Sequence, residues 1–319
     1  MVELRWTKQD VYNLLRDKGM SALIKTFRAI KDELEGAILS SESMRAGKAS
    51  LELIEDEIIN KIRNSGVLYI LYSKATNLPY VDCYDTKLDF RAYMFTDRRE
   101  AGLFKERKLK NGYEVEIEEV VTGKKRADFY RDLMLCGVNF IVLDPDTKHS
   151  FSFSINMVTQ LPAYDGFKGM DTPLLNCSLN AILNDYSQRA AANMVTKEFE
   201  EKLFGIIKMS YFVTPINETG DVDKIDHKEI SFHYFMFQEE NDEGIWENFI
   251  PIFTDSFSMM RQQASGDTLG SKGAILPFMT LFDLLNEYNL KYFVINWGTN
   301  SLILNGETLV KIRNIDNAG

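Results

Sequence analysis

The chain has 319 residues, 45% of them hydrophobic and 26% charged, with a net charge of −10. That length accommodates about two domains of soluble type, each able to bury its own core. The acidic balance repels phosphate backbones and so argues against non-specific nucleic-acid or anionic-membrane binding; no apolar run reaches the roughly 18 residues of a membrane span and no signal-peptide pattern opens the chain, so the expected compartment is the cytoplasm.

Residues 1–64 read as a helical N-terminal segment. Apolar residues recur at helical spacing over 8–15 and 23–39, and Leu51, Ile54, Ile58 and Ile62 form a stripe opposite Glu52, Glu55, Asp56, Glu57 and Lys61. Gly66 then stops the helix, and 67–72 is an apolar, β-favouring run. Pro79 makes 79–84 a short edge strand, since a proline cannot donate to a ladder. The strand 90–95 ends in Phe95-Thr96-Asp97, where a Thr or Asp suits the cap of a helix over 98–108. Asn111-Gly112 marks a turn, and Tyr113, Val115 and Ile117 alternate with Glu114, Glu116 and Glu118 as a strand with one wet face should. A helix over 127–136 leads to the strand 138–143, which ends at Asp144-Pro145 and returns as a hairpin through 149–155.

Residues 157–207 read as a helical connector: Pro162, Gly166 and Gly169 precede helices over 172–191 and 196–207. From 208 the helix-then-strand pattern starts again, with a strand at 209–213, a polar stretch over 217–228, and strands at 231–237 and 248–253. A helix through Met259 and Met260, a short strand at 274–276, a helix at 281–288 and a strand at 292–295 follow, closed by the turn Asn296-Trp297-Gly298.

Two stretches recur. Phe95-Thr96-Asp97 reappears as Phe253-Thr254-Asp255, and the segment ending Phe140-Ile141-Val142-Leu143-Asp144 reappears as Tyr292-Phe293-Val294-Ile295-Asn296. Residues 65–156 and 208–319 thus read as two diverged copies of one unit. A strand ending in Phe-Thr-Asp, then a helix, Ile275-Leu276-Pro277-Phe278, a helix with Phe282-Asp283-Leu284-Leu285, and a strand ending in Ile295-Asn296 resembles the SseB (enhanced serine sensitivity) N-terminal domain, here in tandem. The family's usual Asn-Pro after the last strand is split, as Asp144-Pro145 in one copy and Asn296-Trp297 in the other. The expected fold is therefore α/β (α+β), two SseB-like sheet-plus-helix units with a helical N-terminal segment and a helical connector. The resemblance implies a sulfurtransferase as a possible partner, and it brings no catalytic residues with it.

The candidate binding residues are Thr96, Asp97, Asp144, Thr254, Asp255, Asn296 and Trp297. Strand ends of open α/β sheets are where ligands bind, while helix capping and turn chemistry account for the same residues without a ligand. An exposed Trp297 points to a contact surface and a buried one to core. No catalytic constellation, cofactor motif or metal site is legible: Cys83, Cys136 and Cys177 are widely spaced, and His149, His227 and His233 are scattered. Gly266 to Gly273 lacks the Gly-Lys-Ser/Thr ending of a phosphate loop. Lys105, Arg107, Lys108, Lys110, Lys124, Lys125 and Arg126 offer a basic face, but Glu114, Glu116, Glu118 and Glu119 interleave with it. The reading is a non-enzymatic cytoplasmic binding or adaptor protein, the alternative being a small-ligand-binding or enzymatic protein using the polar sheet-edge residues between the units.

Overall fold

The computed structural model describes residues 18–36, 39–83, 89–160, 174, 176–216, 239–240, 246–247, 249–264, 272–287, 292–297 and 301–315, together with Val11, Asn13 and Leu15. The expected strand at 231–237, the Gly266 to Gly273 loop apart from its last two residues, His227 and His233 lie outside them. The fold is α/β, with helices packed on mixed sheets.

Helices α1 (Met20–Gly36) and α2 (Ser41–Asn64) pair through apolar stripes. At Gly47 the helices approach closely: a Cβ there would lie 2.6 Å from a Leu34 methyl, so that side chain would have to shift. Ser40 caps α2 by accepting from the Ser43 N–H, and Ile54, Ile58 and Ile62 are buried against the sheet that follows. That sheet contains β1 (Val67–Ser73), β2 (Leu78–Pro79), β3 (Val81–Cys83), β4 (Phe90–Phe95), β5 (Val115–Val121), β6 (Phe140–Leu143) and β7 (Phe151–Ser154). Its spine runs β5-β1-β4-β6-β7. Only β4 and β6 are parallel. Helix α3 (Arg98–Lys110) carries the chain from β4 to β5, and α4 (Lys124–Leu135) from β5 to β6.

The expected edge strand at 79–84 is interior instead. Pro79 pairs with Tyr72, and Val81 pairs with Ala92, so β2 and β3 wedge between β1 and β4 where those strands diverge. Pro79 needs no donor there, because the ladder is closed by the neighbouring Tyr80 N–H on Leu71 O at 2.8 Å.

After α5 (Cys177–Ala191) and α6 (Lys197–Met209) come β8 (Tyr211–Ile216), the short pair β9 (Glu239–Glu240) and β10 (Trp246–Glu247), β11 (Ile250–Ile252), α7 (Ser256–Ala264), β12 (Lys272–Pro277), α8 (Phe278–Glu287), β13 (Phe293–Ile295), β14 (Leu302–Leu304) and α9 (Gly306–Asn314). β12 is antiparallel to β8, β8 bridges β11 antiparallel at Val213 and Phe253, β11 is parallel to β13, and β13 is antiparallel to β14. The order β12-β8-β11-β13-β14 therefore has the same sequence of directions as β5-β1-β4-β6-β7. Even the rungs correspond: Tyr69 pairs with Phe95 as Val213 pairs with Phe253, and Met94 faces Leu143 as Ile252 faces Ile295.

The expectation of a separate core in each half is corrected. Leu68, Ile70 and Leu143 of the first half and Phe212, Ile252 and Ile295 of the second belong to one continuous buried cluster, joined through Leu179, Ile182 and Leu183 of α5. Helix α5 is buried on all sides from Leu179 to Asp185, which is how a central helix behaves rather than a surface connector. A smaller cluster, including Leu71, Tyr80, Phe95, Phe104 and Tyr113, lies on the opposite face of the first sheet under α3.

Candidate functional site

Asp144 follows β6 and Asn296 follows β13, both in left-handed backbone conformation, with φ of 45° and 49°. Each donates its backbone N–H to the parallel neighbour, Asp144 to Met94 O at 2.8 Å and Asn296 to Ile252 O at 2.9 Å. Each turns its side chain back on the threonine that ends that neighbour. The Asp144 carboxylate accepts from Thr96 N–H at 2.8 Å and from Thr96 Oγ1 at 2.7 Å; Asn296 Oδ1 accepts from Thr254 N–H at 3.0 Å. Asp and Asn tolerate this backbone region best among residues with side chains, and only their short acceptors reach the threonine.

The next residue caps a helix in both places. Asp97 accepts from Arg99 N–H at 2.6 Å to open α3, and Asp255 accepts from Ser258 N–H at 2.8 Å and from Ser258 Oγ at 2.7 Å to open α7. The surroundings then part company. Thr96 and Asp97 are exposed and Asp144 is 7% exposed, whereas Thr254, Asp255 and Asn296 are 0, 2 and 1% exposed. What covers the second corner is α5. Asn180 Nδ2 donates to Asp255 Oδ2 at 2.8 Å and to Leu135 O at 2.9 Å, and Asn180 Oδ1 accepts from Asn296 Nδ2 at 2.8 Å. One carboxamide thus ties α4 of the first half to the sheet corner of the second. The segment before α5 adds Ser256 N–H on Leu174 O and Leu174 N–H on Ser256 Oγ, at 3.1 and 2.9 Å. The second trio does sit at the junction of the halves, but closed. Trp297 is half-buried, 6.2 Å from the Phe249 ring, which stacks on Tyr292.

Asn180 belongs to a row. Asn184 Nδ2 donates to Pro79 O at 3.2 Å, and Gln188 Nε2 to Val81 O at 3.0 Å, so carboxamides one turn apart grip the β2 and β3 backbone. The sequence reading passes over this row, yet its signal is there: Asn176, Asn180, Asn184 and Gln188 recur every fourth residue in a segment read as helix.

A compact group of ionisable side chains lies elsewhere, on the α3 face of the first sheet. Lys108 Nζ is 2.6 Å from Asp82 Oδ2, which also accepts from the Tyr93 hydroxyl at 3.2 Å. The same ammonium is 4.9 Å from the Tyr80 ring centroid, 5.3 Å from Phe104, 5.6 Å from Tyr93 and 5.7 Å from Tyr113. Burial pushes the Tyr80 and Tyr93 hydroxyls far above the phenol range, with the Asp82 charge adding to it. Nearby on α5, burial raises the Asp185 carboxyl to about 6 against the pull of Arg189, whose Nε lies 2.9 Å away. Arg189 is itself raised, because Asp185 outweighs its own desolvation; the acid is the deeper of the two, so burial governs its protonation. None of this is visible without the sheet, since Tyr80, Tyr93 and Tyr113 come from three separate segments.

The basic face of the sequence reading is corrected at two residues. Lys108 points into the rings, and Arg126 is buried, its guanidinium donating to the carbonyls of Ile62, Ser65, Gly66 and Val120 at 2.7 to 3.2 Å. His149 bonds Ser21 Oγ. Among the described residues no group of His, Cys, Asp and Glu is placed to hold a metal, and no helix is long and apolar enough to cross a membrane.

The fold and these corners define an α/β protein of mixed sheets with a buried polar junction. No family model matches the chain, and no curated protein matches it.

Proposed function

We propose that the chain is a non-enzymatic binding protein of the cytoplasm, built as two copies of one SseB-like unit, and that its first copy docks a partner protein at the corner Thr96, Asp97 and Asp144. The observation that carries this reading is the contrast between two corners of like construction. In the second, Thr254, Asp255 and Asn296 are covered by a helix that presents a carboxamide; in the first, the corresponding threonine and cap are exposed. A carboxylate has about four acceptor positions, so the exposed Asp97 retains capacity after the bond named above, with Asp144 holding Thr96 from behind. The complementary partner is a helix with an Asn or Gln side chain, the chemistry α5 supplies internally. A sulfurtransferase, implied by the family resemblance, is one partner to test.

The test places a photoreactive phenylalanine analogue at Leu103, which is exposed on α3, in the full chain within cells. A single defined protein adduct that disappears when Thr96→Arg blocks the corner supports the reading. Adducts that are absent, or unchanged by that substitution, overturn it.

A further inference from the structure

Energetically significant cation–aromatic pairs occur about once per 70 to 80 residues, usually as one ring to one cation. Lys108 Nζ has four rings within 5.7 Å and a carboxylate at 2.6 Å. The walls hold one another: Tyr80 meets Tyr113 edge-on at 5.6 Å, and Tyr93 packs on Phe104 at 4.7 Å. They are supplied by residue 80 between β2 and β3, by β4, by α3 and by residue 113 before β5, so the box is a property of the folded sheet rather than of the lysine.

Its occupant is tethered by a flexible stem. Lys108 sits in the last turns of α3, where its carbonyl accepts from Asn111 N–H and Tyr113 N–H at 3.0 Å, so the backbone stays fixed if the side chain leaves. The side chains of Lys108 and Asp82 keep 16 and 24% exposure, which opens the box to solvent at the carboxylate end. Beside it, Asp185 is 2% exposed and its Oδ2 has no hydrogen-bond partner, an acceptor that the lysine does not satisfy. Its charge is felt by both Tyr80 and Tyr113.

We propose that Tyr80, Tyr93, Phe104, Tyr113 and Asp82 form a binding site for a small organic ammonium, and that Lys108 is a built-in occupant which such a ligand displaces. The ring faces stabilise a diffuse positive charge, Asp82 neutralises it, and Asp185 receives a hydroxyl or N–H from the ligand's tail. Displacing an attached competitor lowers apparent affinity without changing which ligand fits. This site is independent of the corner at Thr96 and does not rest on it.

Choline chloride is the probe, titrated calorimetrically into the full chain with sodium chloride at matched ionic strength as control. Wild type is expected to bind saturably, and Lys108→Ala to bind at least about tenfold tighter because the competitor is gone. Asp82→Asn on the Lys108→Ala background is expected to lose most of that binding. Lys108→Met keeps a stem of similar length but has no charge to hold it against the rings and Asp82, so it is also expected to bind more tightly than wild type, and it carries the comparison should Lys108→Ala fail to fold. No saturable binding by wild type overturns the proposal, even if Lys108→Ala binds, because the lysine is then a permanent part of the core. Binding by Lys108→Met that is no tighter than that of wild type also overturns it.

Discussion

Asp97 and Asp255 cap their helices in different media, Asp97 on the N–H two residues on and Asp255 on the N–H three residues on. Each accepts a backbone N–H in the first turn of a helix, but Asp97 does so in water and Asp255 beneath α5, where its carboxylate also meets Ser258 Oγ and Asn180. Truncating the exposed cap costs about 1 kcal/mol, the usual figure. Asp255→Ala strips donors of Asn180 and Ser258 that water cannot reach, and the expected loss is about 3 kcal/mol. Urea unfolding of the two alanine variants, with m-values compared, checks the ratio; equal losses refute the account of the second corner.

Asn180 and Asn296 share a direct bond at 2.8 Å, both amides being buried. The single variants Asn180→Ala and Asn296→Ala and the double variant should show a coupling of about 1 to 2 kcal/mol in a double-mutant cycle. Additive losses would mean that the amide pair contributes nothing of its own.

Arg126 donates to carbonyls at the C-terminal end of α2 and on Val120, with no acid among the partners named above. The Ile62 and Ser65 carbonyls lie at the C-terminal end of α2, where the helix dipole favours a cation. Arg126→Met fills the volume but removes every donor, and about 3 kcal/mol of stability is expected to go with it. Thermal unfolding monitored by circular dichroism reads this out; a melting temperature within experimental error of wild type contradicts it.

Asp185 sets a pH dependence of defined sign. Its carboxyl is raised from 3.8 to about 6 in the folded chain, so between those values the native state holds a proton that the unfolded state has released. The stability it contributes is complete below about pH 4 and is lost as pH rises to about 6, on the order of 3 kcal/mol in total. Other carboxylates add their own slopes, so the measurement is the difference between wild type and Asp185→Asn across that window. Parallel curves for the two proteins would show that Asp185 titrates normally.

Elements are legible in the sequence where a motif and its neighbour are both local: the Ile54, Ile58 and Ile62 stripe faces inward, and residues 149–155 do return beside β6. The wedge of β2 and β3 is not, because Pro79 signals an edge by its missing donor and only the neighbouring Tyr80 N–H reveals why an interior position suffices. Nor does local pattern separate the two corners. Thr96-Asp97 and Thr254-Asp255 are the same dipeptide, and what distinguishes them is a helix whose Asn180 lies far away in sequence. The lysine box escapes for a like reason, since a charged residue in a run of charged residues reads as solvated until the rings around it are placed.

The carboxamide row on α5 imposes a schedule on synthesis. Pro79, Val81 and Leu135 leave the ribosome before α5, so Asn184, Gln188 and Asn180 meet carbonyls already emerged. Asp255 and Asn296 arrive later, and until they do the greasy flank formed by Leu179, Ile182 and Leu183 is without much of its eventual cover. A nascent or nicked product ending short of Asn296 therefore presents chaperones and proteases with an oily helix, and translation through Asn296 is what sheathes it.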